Sequence, residues 1–278
     1  MEKAYQIIRE KIQTADAVLI GASNGLSISE GYHLFADNQA FKELFPEVRK
    51  KYGIRCLLQG MSFPYPSEEE KWGYWTRLIT RYVHQYQPTP QMQHLKELVA
   101  GKPHFVVTSN GEAHFALAGF QPENIYEIEG NLTEMQCERA CHNVLYPVRD
   151  TILAMAEKEA GGAVPAQLVP RCPWCGSPMQ LHYAISDSFI PNKDGEKRYR
   201  TFLEKYHGKN IVILELGIGW RNQMIKVPLM RLAANEPHAF YAAFNRGEMY
   251  IPQEIADKSV GIDGDIAVAL AQLAGSGM

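Results

Sequence analysis

The sequence predicts an α/β fold in which a parallel sheet carries helices on both faces, with a helical insert and a small cysteine-bearing module added. Four short apolar runs recur along the chain, and each ends in glycine or small polar residues. Strands buried on both faces of a parallel sheet have this pattern. The chain has 278 residues, of which 46% are hydrophobic, so it can fill a sizeable core. A Rossmann-like sheet is indicated, and such sheets bind ligands at the carboxyl ends of their strands.

The first predicted elements are an amphipathic helix and a buried strand. Tyr5, Ile8 and Ile12 are apolar positions spaced as on one face of a helix. The apolar run 17–20 leads into a glycine-containing turn, and the stretches 103–111, 209–220 and 238–247 repeat this order. We therefore expect four turns at one edge of the sheet, which contain Gly21 to Ser27, Thr108 to Glu112, Gly217 to Asn222, and Asn245.

Residues 36–100 interrupt this order with a helical segment rich in aromatic residues. Its apolar stripe repeats at intervals of three or four residues, which is the spacing of one helix face. We expect the stripe to pack in the core, and the alternative is that it lines a substrate pocket. Its members are Trp72, Trp75, Ile79, Tyr82 and Tyr86.

Four cysteines form two close pairs, Cys137 with Cys141 in C-x3-C and Cys172 with Cys175 in C-x2-C. Two such pairs supply four thiolates, the ligand set of a tetrahedral structural zinc site. We expect one zinc ion that stabilises a module too small for its own core. The alternatives are four unrelated buried thiols, or a site in which His142 replaces one cysteine.

Composition and charge exclude several classes of partner. The net charge is −3 with acidic and basic residues mixed, so we expect no nucleic-acid partner. The sequence has no apolar run of about 18 residues and no signal peptide, so we expect no membrane association. Five cysteines, an odd number clustered at close spacing, indicate reduced thiols and a cytoplasmic protein. Cys56 lies in an apolar run, so we expect it in the core rather than as a nucleophile.

Two of the strand-end turns have features of nucleotide-binding turns. Gly21 and Gly25 would let the backbone approach a phosphate closely, and the N–H groups of the next helix would face the anion. Gly217 and Gly219 lie in a second such turn. Asn245 ends its strand with an amide that could hold a ribose hydroxyl, or that caps the turn instead.

Together these pieces resemble the sirtuin family over nearly the whole chain. SNGLSISEGYHLF stands where the family has its GAG-(I/M)-S loop followed by G-I-P-D-F-R, and TSNGEAHFALAG stands where it has T-Q-N-(I/V)-D-x-L-H-x-x-A-G. The cysteines follow, and LELGIGW and AFYAAFN then occupy the places of the family's G-T-S turn and of its later strand ending in Asn.

The resemblance implies a domain organisation, a cofactor and a partner. It implies a Rossmann-like NAD-binding domain over 1–35, 101–130 and 196–278, a helical module over 36–100 and a zinc-binding module over 131–195. Sirtuins cleave the nicotinamide bond of NAD and transfer ADP-ribose to an acyl-lysine or another acceptor, so NAD and an acceptor protein are implied. The residues expected at NAD are Gly21, Ala22, Ser23, Gly25, Ser27, Phe35, Ser109, Gly217, Gly219 and Asn245.

The sequence also departs from the family pattern. Where sirtuins have E-L-H-G with the catalytic histidine, this chain has EIEG at 127–130, so Glu129 replaces the histidine. Leu34 and Ala36 replace the aspartate and arginine of G-I-P-D-F-R, and Ser109 replaces a glutamine. Such changes resemble the divergent microbial branch of sirtuins linked to macrodomain operons, which is associated with protein ADP-ribosylation.

The chemistry of NAD cleavage gives these residues their expected roles. The ribose becomes oxocarbenium-like while nicotinamide leaves neutral, so the site must orient the sugar and stabilise positive charge. We expect Asn110 to orient the ribose or a water, Glu112 to hold the nicotinamide amide and Phe35 to cover the sugar. We expect the Glu129 carboxylate to accept a hydrogen bond from the ribose 2′-hydroxyl and to stabilise the cationic sugar.

These roles favour protein mono-ADP-ribosyl transfer over deacylation. Deacylation needs a base at neutral pH, which suits histidine better than a carboxylate. The alternatives are a lysine deacylase, a weakly catalytic module that binds NAD or ADP-ribose, and a plain NAD hydrolase. His33 could restore a base, as could His114, which lies four residues after Asn110 and would share its helix face. In a strand, Glu127 would point away from Glu129.

Overall fold

The computed structural model describes residues 1–275 and contains two sheets. Residues 276–278, the end of the range expected for the NAD-binding domain, lie outside the described residues. The strands are β1 (Ala17–Ala22), β2 (His104–Thr108), β3 (Ile125–Glu127), β4 (Gly130–Cys137), β5 (Tyr146–Pro147), β6 (Met179–Tyr183), β7 (Ile211–Leu216), β8 (Phe240–Asn245) and β9 (Ser259–Asp263).

Helices surround both sheets. The α-helices are α1 (Glu2–Thr14), α2 (Asn24–Ser29), α3 (Gln39–Leu44), α4 (Pro46–Tyr52), α5 (Leu57–Met61), α6 (Glu68–Ile79), α7 (Pro90–Leu98), α8 (His114–Leu117), α9 (Arg149–Ala156), α10 (Lys193–Lys205), α11 (Gln223–Asn235) and α12 (Ile266–Leu273). A π-helical turn, Thr80–His84, continues α6, and short 3₁₀ turns span Pro122–Asn124, Ala166–Leu168 and Gln253–Lys258. Among the described residues, none of the helices combines the length and the apolar character needed to cross a membrane.

The large sheet is parallel throughout and has the strand order β3-β2-β1-β7-β8-β9. All six residues of β1 and all six of β7 are buried, because helices cover both faces of the sheet. Val18 and Ile20 face the core that contains α1, α7 and α12, whereas Leu19 faces the core that contains α11. The α/β fold with a parallel sheet flanked by helices is therefore confirmed.

The small sheet is antiparallel, with β4 between β5 and β6. Its buried residues share one hydrophobic core with α3 to α6 and α9, so the helical and cysteine-bearing segments pack as one body. Four of the five residues of the predicted aromatic stripe are buried in this core, namely Trp72, Trp75, Ile79 and Tyr82. The fifth, Tyr86, is only half-buried and stacks on His114 instead. Helix α7 lies in the range 36–100 but packs against α12 in the first core instead.

Candidate active site

The turns that follow β1, β2 and β7 are in direct contact at one edge of the large sheet. These strands are neighbours and parallel, so their carboxyl ends lie together. The N–H of Ser23 donates to the carbonyl of Leu216 at 3.2 Å, and the N–H of Ser109 donates to that of Ala22 at 3.4 Å. The N–H of Gly25 donates to the carbonyl of Gly217 at 2.9 Å. The structure thus brings together three of the turns predicted from the sequence.

The glycines of these turns serve contacts within the protein. A Cβ added to Gly25 would lie 2.5 Å from the Cα of Gly217, so two glycines are needed for the backbones to approach this closely. Gly217 also has a φ of 64°. At Gly21 the space that a Cβ would fill is occupied by Leu229 Cδ1 at 2.2 Å, so the missing side chain makes room for α11; the approach of Gly21 to a phosphate stays a prediction.

A buried network of hydroxyl and amide groups joins the three turns. The Oγ of Ser109 donates to the Oγ of Ser23 at 3.0 Å, and the Nδ2 of Asn222 donates to both hydroxyls at 3.0 and 2.7 Å. Asn222 was not among the residues we expected at NAD. The amide of Asn245 joins the turn after β8 to the turn after β7, since Nδ2 donates to the carbonyl of Ile218 at 3.1 Å, while Oδ1 accepts from the N–H of Arg246 at 2.9 Å.

Asn110 presents an unused hydrogen-bond acceptor in this edge of the sheet. Its side chain is 4% exposed, and its Nδ2 donates to the carbonyl of Ser23 at 3.2 Å. Its Oδ1 is buried and has no hydrogen-bond partner in the described part of the chain. A buried polar atom without a partner costs about 1–3 kcal/mol, so this oxygen is suited to receive a hydroxyl or N–H of a ligand.

Glu112 belongs to a buried cluster of charged groups. Its Oε1 accepts from the Oγ of Ser27 at 2.5 Å and lies 3.9 Å from Nδ1 of His114, and that nitrogen lies 3.0 Å from Oε2 of Glu30. Burial raises the pKa of Glu112, although the charge of His114 and the Ser27 hydroxyl oppose the shift. His114 does not share a helix face with Asn110 as we expected, because α8 begins only at His114.

Glu127 and Glu129 lie where the chain passes from the large sheet to the small one. Glu127 ends β3 and Gly130 begins β4. Burial raises the pKa of the Glu127 carboxyl to about 8; a hydrogen bond from Asn131 opposes this rise, and the charge of Glu112 adds to it. Burial also raises the pKa of Glu129, whose carboxylate has no hydrogen-bonding or charged partner in the described part of the chain.

Tyr183, at the end of β6, faces the same edge and was not expected from the sequence. Its ring packs on the backbone of Gly111: a Cβ there would lie 2.3 Å from the ring. Burial raises the pKa of its hydroxyl, and the charges of Glu129 and Glu112 raise it further, which places the ring near both carboxylates. The sequence offered no signal for Tyr183, since its contact with Gly111 joins two different sheets.

The loop after α2 carries Phe35 and His33. Phe35 is 51% exposed, and its N–H donates to Nδ1 of His33 at 3.4 Å. Their rings meet edge to face with centroids 6.4 Å apart. Neither side chain belongs to the buried network of the turns.

The four predicted metal ligands form a single cluster. The Sγ atoms of Cys137, Cys141, Cys172 and Cys175 all lie within 4.8 Å of one another. Two of the Sγ–Sγ distances are 3.6 Å, close to the ~3.8 Å edge of a tetrahedron with Zn–S bonds of ~2.3 Å. His142 lies beside the cluster, with Nε2 at 3.4 Å from the Sγ of Cys172. The donor set and its spacing fit a structural zinc ion.

Comparisons with known proteins agree with this arrangement. No protein-family model matches the chain. A protein ADP-ribosyltransferase from Staphylococcus aureus is 30% identical over 276 residues, which cover 96% of this chain and 86% of the relative. A probable bifunctional ADP-ribose hydrolase/ADP-ribosyltransferase from Fusarium oxysporum f. sp. cubense is 30% identical over 229 residues, which cover 78% of this chain and 38% of that relative.

Solved sirtuin structures share the fold. A structure solved for a study of sirtuin substrate affinity aligns with a TM-score of 0.63 at 17% identity, over 98% of this chain and 99% of that one. A complex of a Sir2 homologue with NAD aligns with a TM-score of 0.62 at 14% identity, over 98% of this chain and 93% of that one.

Proposed function

Because the chain belongs to the sirtuin-like family of protein ADP-ribosyltransferases, we propose that it cleaves the nicotinamide bond of NAD and transfers ADP-ribose to a side chain of another protein. The observation in the chain itself that carries this proposal is Glu129. It stands where the sirtuin pattern has a histidine, at the junction of the two sheets and beside the turn that holds Asn110.

Asn110 and Glu112 are proposed to hold the two sides of the bond that breaks. The Oδ1 of Asn110 is buried without a partner, so a ribose hydroxyl or an ordered water can donate to it. Oε1 of Glu112 accepts from the hydroxyl of Ser27, and we propose that Oε2 accepts from an amide such as that of nicotinamide. Both groups are fixed before the substrate arrives, which lowers the cost of orientation.

Glu129 is proposed to stabilise the positive charge that develops on the ribose. Its carboxylate has no partner among the described residues, so its charge is not neutralised by the protein. A carboxylate in a partly buried position attracts a developing cation more strongly than it would in water. It can also accept a hydrogen bond from the ribose 2′-hydroxyl, as expected from the sequence.

The same geometry supports transfer rather than lysine deacylation. Deacylation needs a group that removes a proton from a ribose hydroxyl at neutral pH. His114 is a poor base here, because Nε2 lies 2.8 Å from the carbonyl of Tyr82 and Nδ1 lies 3.0 Å from Glu30. Both ring nitrogens are therefore committed to the protein.

The zinc ion is proposed to have a structural role. Four cysteine ligands would leave no open position on the metal, so zinc supplies cross-linking and no bond-making chemistry. The strands β4 and β6 that carry or follow these ligands also carry Gly130 and Tyr183 to the active site. The free thiols of the described chain would remain reduced in the cytoplasm, which we propose as the location.

Glu129→Gln tests the proposal, with Glu123→Gln as the matched control because Glu123 is exposed in the connection before β3. We expect the wild-type protein to release nicotinamide and to place label from adenine-labelled NAD on protein. Glu129→Gln should lower the rate constant for nicotinamide release about 10²- to 10³-fold. Glu123→Gln should keep the wild-type rate constant. Label on acyl groups, free ADP-ribose alone, or bound NAD without nicotinamide release would each contradict the proposal.

A further inference from the structure

The Glu30–His114–Glu112 cluster is buried beside the proposed nicotinamide end of the site. The three side chains are 1%, 4% and 4% exposed, respectively. Nδ1 of His114 lies 3.0 Å from Oε2 of Glu30 and 3.9 Å from Oε1 of Glu112. The cluster therefore places one imidazole between two carboxyl groups in an environment that water does not screen.

The imidazole of His114 faces an oxygen acceptor at each of its ring nitrogens. Nε2 lies 2.8 Å from the carbonyl of Tyr82, and that carbonyl is presented by the π-helical turn Thr80–His84. A neutral imidazole carries only one N–H, so one lone pair would point at an oxygen. An imidazolium donates from both nitrogens and satisfies both contacts.

Glu30 is itself held in place from the other side. Its Oε1 accepts from the hydroxyls of Tyr86 and Thr89, each at 2.8 Å. The ring of Tyr86 also stacks on His114 with centroids 3.8 Å apart. Glu30 thus cannot turn towards solvent without breaking two hydrogen bonds, and it keeps the imidazolium in one orientation.

The charges around His114 favour its protonated form. Burial on its own lowers the pKa of His114, but the hydrogen bond to Glu30 and the charges of Glu112 and Glu30 outweigh burial and raise it overall. The rings of Tyr32 and Tyr86 also lie beside the imidazole, and Tyr82, whose backbone carbonyl meets Nε2, has its ring against that of Tyr32. Burial raises the pKa of each of these tyrosines, so they stay neutral while His114 titrates.

We propose that His114 is a positioning residue for NAD cleavage, which as a buried imidazolium clamped by Glu30 holds the Glu112 carboxyl group in place as a hydrogen-bond acceptor. This inference rests on the proposed function. When His114 releases its proton to solvent at higher pH, Glu30 and Glu112 remain close together in a dry site without a cation between them. The Glu112 carboxyl group is then no longer held in one position, and the substrate loses a fixed hydrogen-bond acceptor.

The inference predicts an alkaline limb in the pH profile. Since the folded-state pKa of His114 is raised, the protonated form persists above the usual range and is lost as the pH rises further. We expect kcat/KM for nicotinamide release to fall along this limb in the wild type. His114→Gln should lower kcat/KM about tenfold or more at neutral pH and remove the limb. Glu30→Gln should move the limb to lower pH, because it removes an anion that favours the imidazolium.

His104→Gln is the matched control, because His104 begins β2 at the opposite end of the strand from the site, where its ring nitrogen meets the carbonyl of Lys102. It should keep the wild-type profile. A purely structural role of His114 would lower activity by the same factor at every pH, and a limb that survives in His114→Gln would overturn the inference.

A second measurement separates this inference from the proposed function. The ring resonance of His114, assigned by its loss in His114→Gln, can be titrated by NMR in the protein without NAD. A midpoint above the ordinary value of about 6.5 supports the imidazolium, and a midpoint below it overturns the inference whatever the activity. If the wild type releases no nicotinamide at any pH, the proposed function fails and the positioning role fails with it.

Discussion

Replacing Glu127 by glutamine tests the electrostatics at the junction of the two sheets. The Glu127 residue is partly exposed as a whole, but burial of its carboxyl group raises the pKa to about 8 from an ordinary 4.5. Glutamine has the same shape and keeps an oxygen that can accept from Nδ2 of Asn131, which donates to Glu127 at 2.7 Å. The substitution therefore removes the titration while it preserves the contact.

The expected magnitude follows from proton linkage. Between pH 4.5 and about 8 the folded chain keeps a proton on Glu127 that the unfolded chain has released, so the free energy of unfolding falls as the pH rises through this window. Each pH unit corresponds to about 1.4 kcal/mol. From pH 5 to pH 7 the loss amounts to about 2.7 kcal/mol, and partial exposure of the residue reduces it to about 2 kcal/mol.

Thermal unfolding at pH 5 and pH 7 measures this difference. For a chain of this size about 2 kcal/mol corresponds to roughly 3 to 4 °C in Tm. We expect the Tm of the wild type to drop by that much more than the Tm of Glu127→Gln over the same interval. Glu123→Gln, at an exposed position, should follow the wild type. Equal drops in the wild type and in Glu127→Gln would refute the assignment of a raised pKa to this carboxyl.

Two further predictions concern zinc and a buried ion pair. We expect metal analysis to find one zinc ion per chain. A strong chelator or Cys175→Ser should lower the Tm and expose the core of the small sheet. Unchanged unfolding after complete metal removal would contradict a structural role of zinc. Lys226 donates to Glu215 at 2.5 Å and to the carbonyl of Ile218 at 3.0 Å, fully buried. Lys226→Met should lower the free energy of unfolding in urea by about 3–5 kcal/mol. Adding Glu215→Gln to Lys226→Met should recover part of that loss. An unchanged free energy of unfolding in Lys226→Met alone would contradict the buried ion pair.

The sequence was informative wherever the signal is local. An apolar run followed by a glycine-containing turn predicts a buried parallel strand and its carboxyl end, and the turns after β1, β2 and β7 do meet. Close cysteine pairs predict a metal cluster for the same reason, because the geometry of each pair is set within a few residues. Periodicity likewise predicted that the stripe containing Trp72 and Trp75 is buried.

Contacts between distant segments could not be predicted in this way. Glu30 and His114 are separated by 84 residues, and neither position carries a recognisable pattern. Tyr183 meets Gly111 only because the small sheet folds back over the turn after β2. The contact of Gly21 with Leu229 was not foreseen either, because a glycine that admits a ligand and one that admits a leucine side chain look the same in a sequence.

The two glutamates of EIEG differ in a way that bears on the reaction. The Glu127 carboxyl, with a pKa near 8 and the charge of Glu112 close by, is mostly protonated at neutral pH. Glu129 lies away from other described charges, and burial alone raises its pKa. Neighbouring carboxyl groups in different environments can take different roles. A neutral Glu127 spares Glu112 a second adjacent anion, and in the proposed function Glu129 is the carboxyl group that faces the cationic sugar.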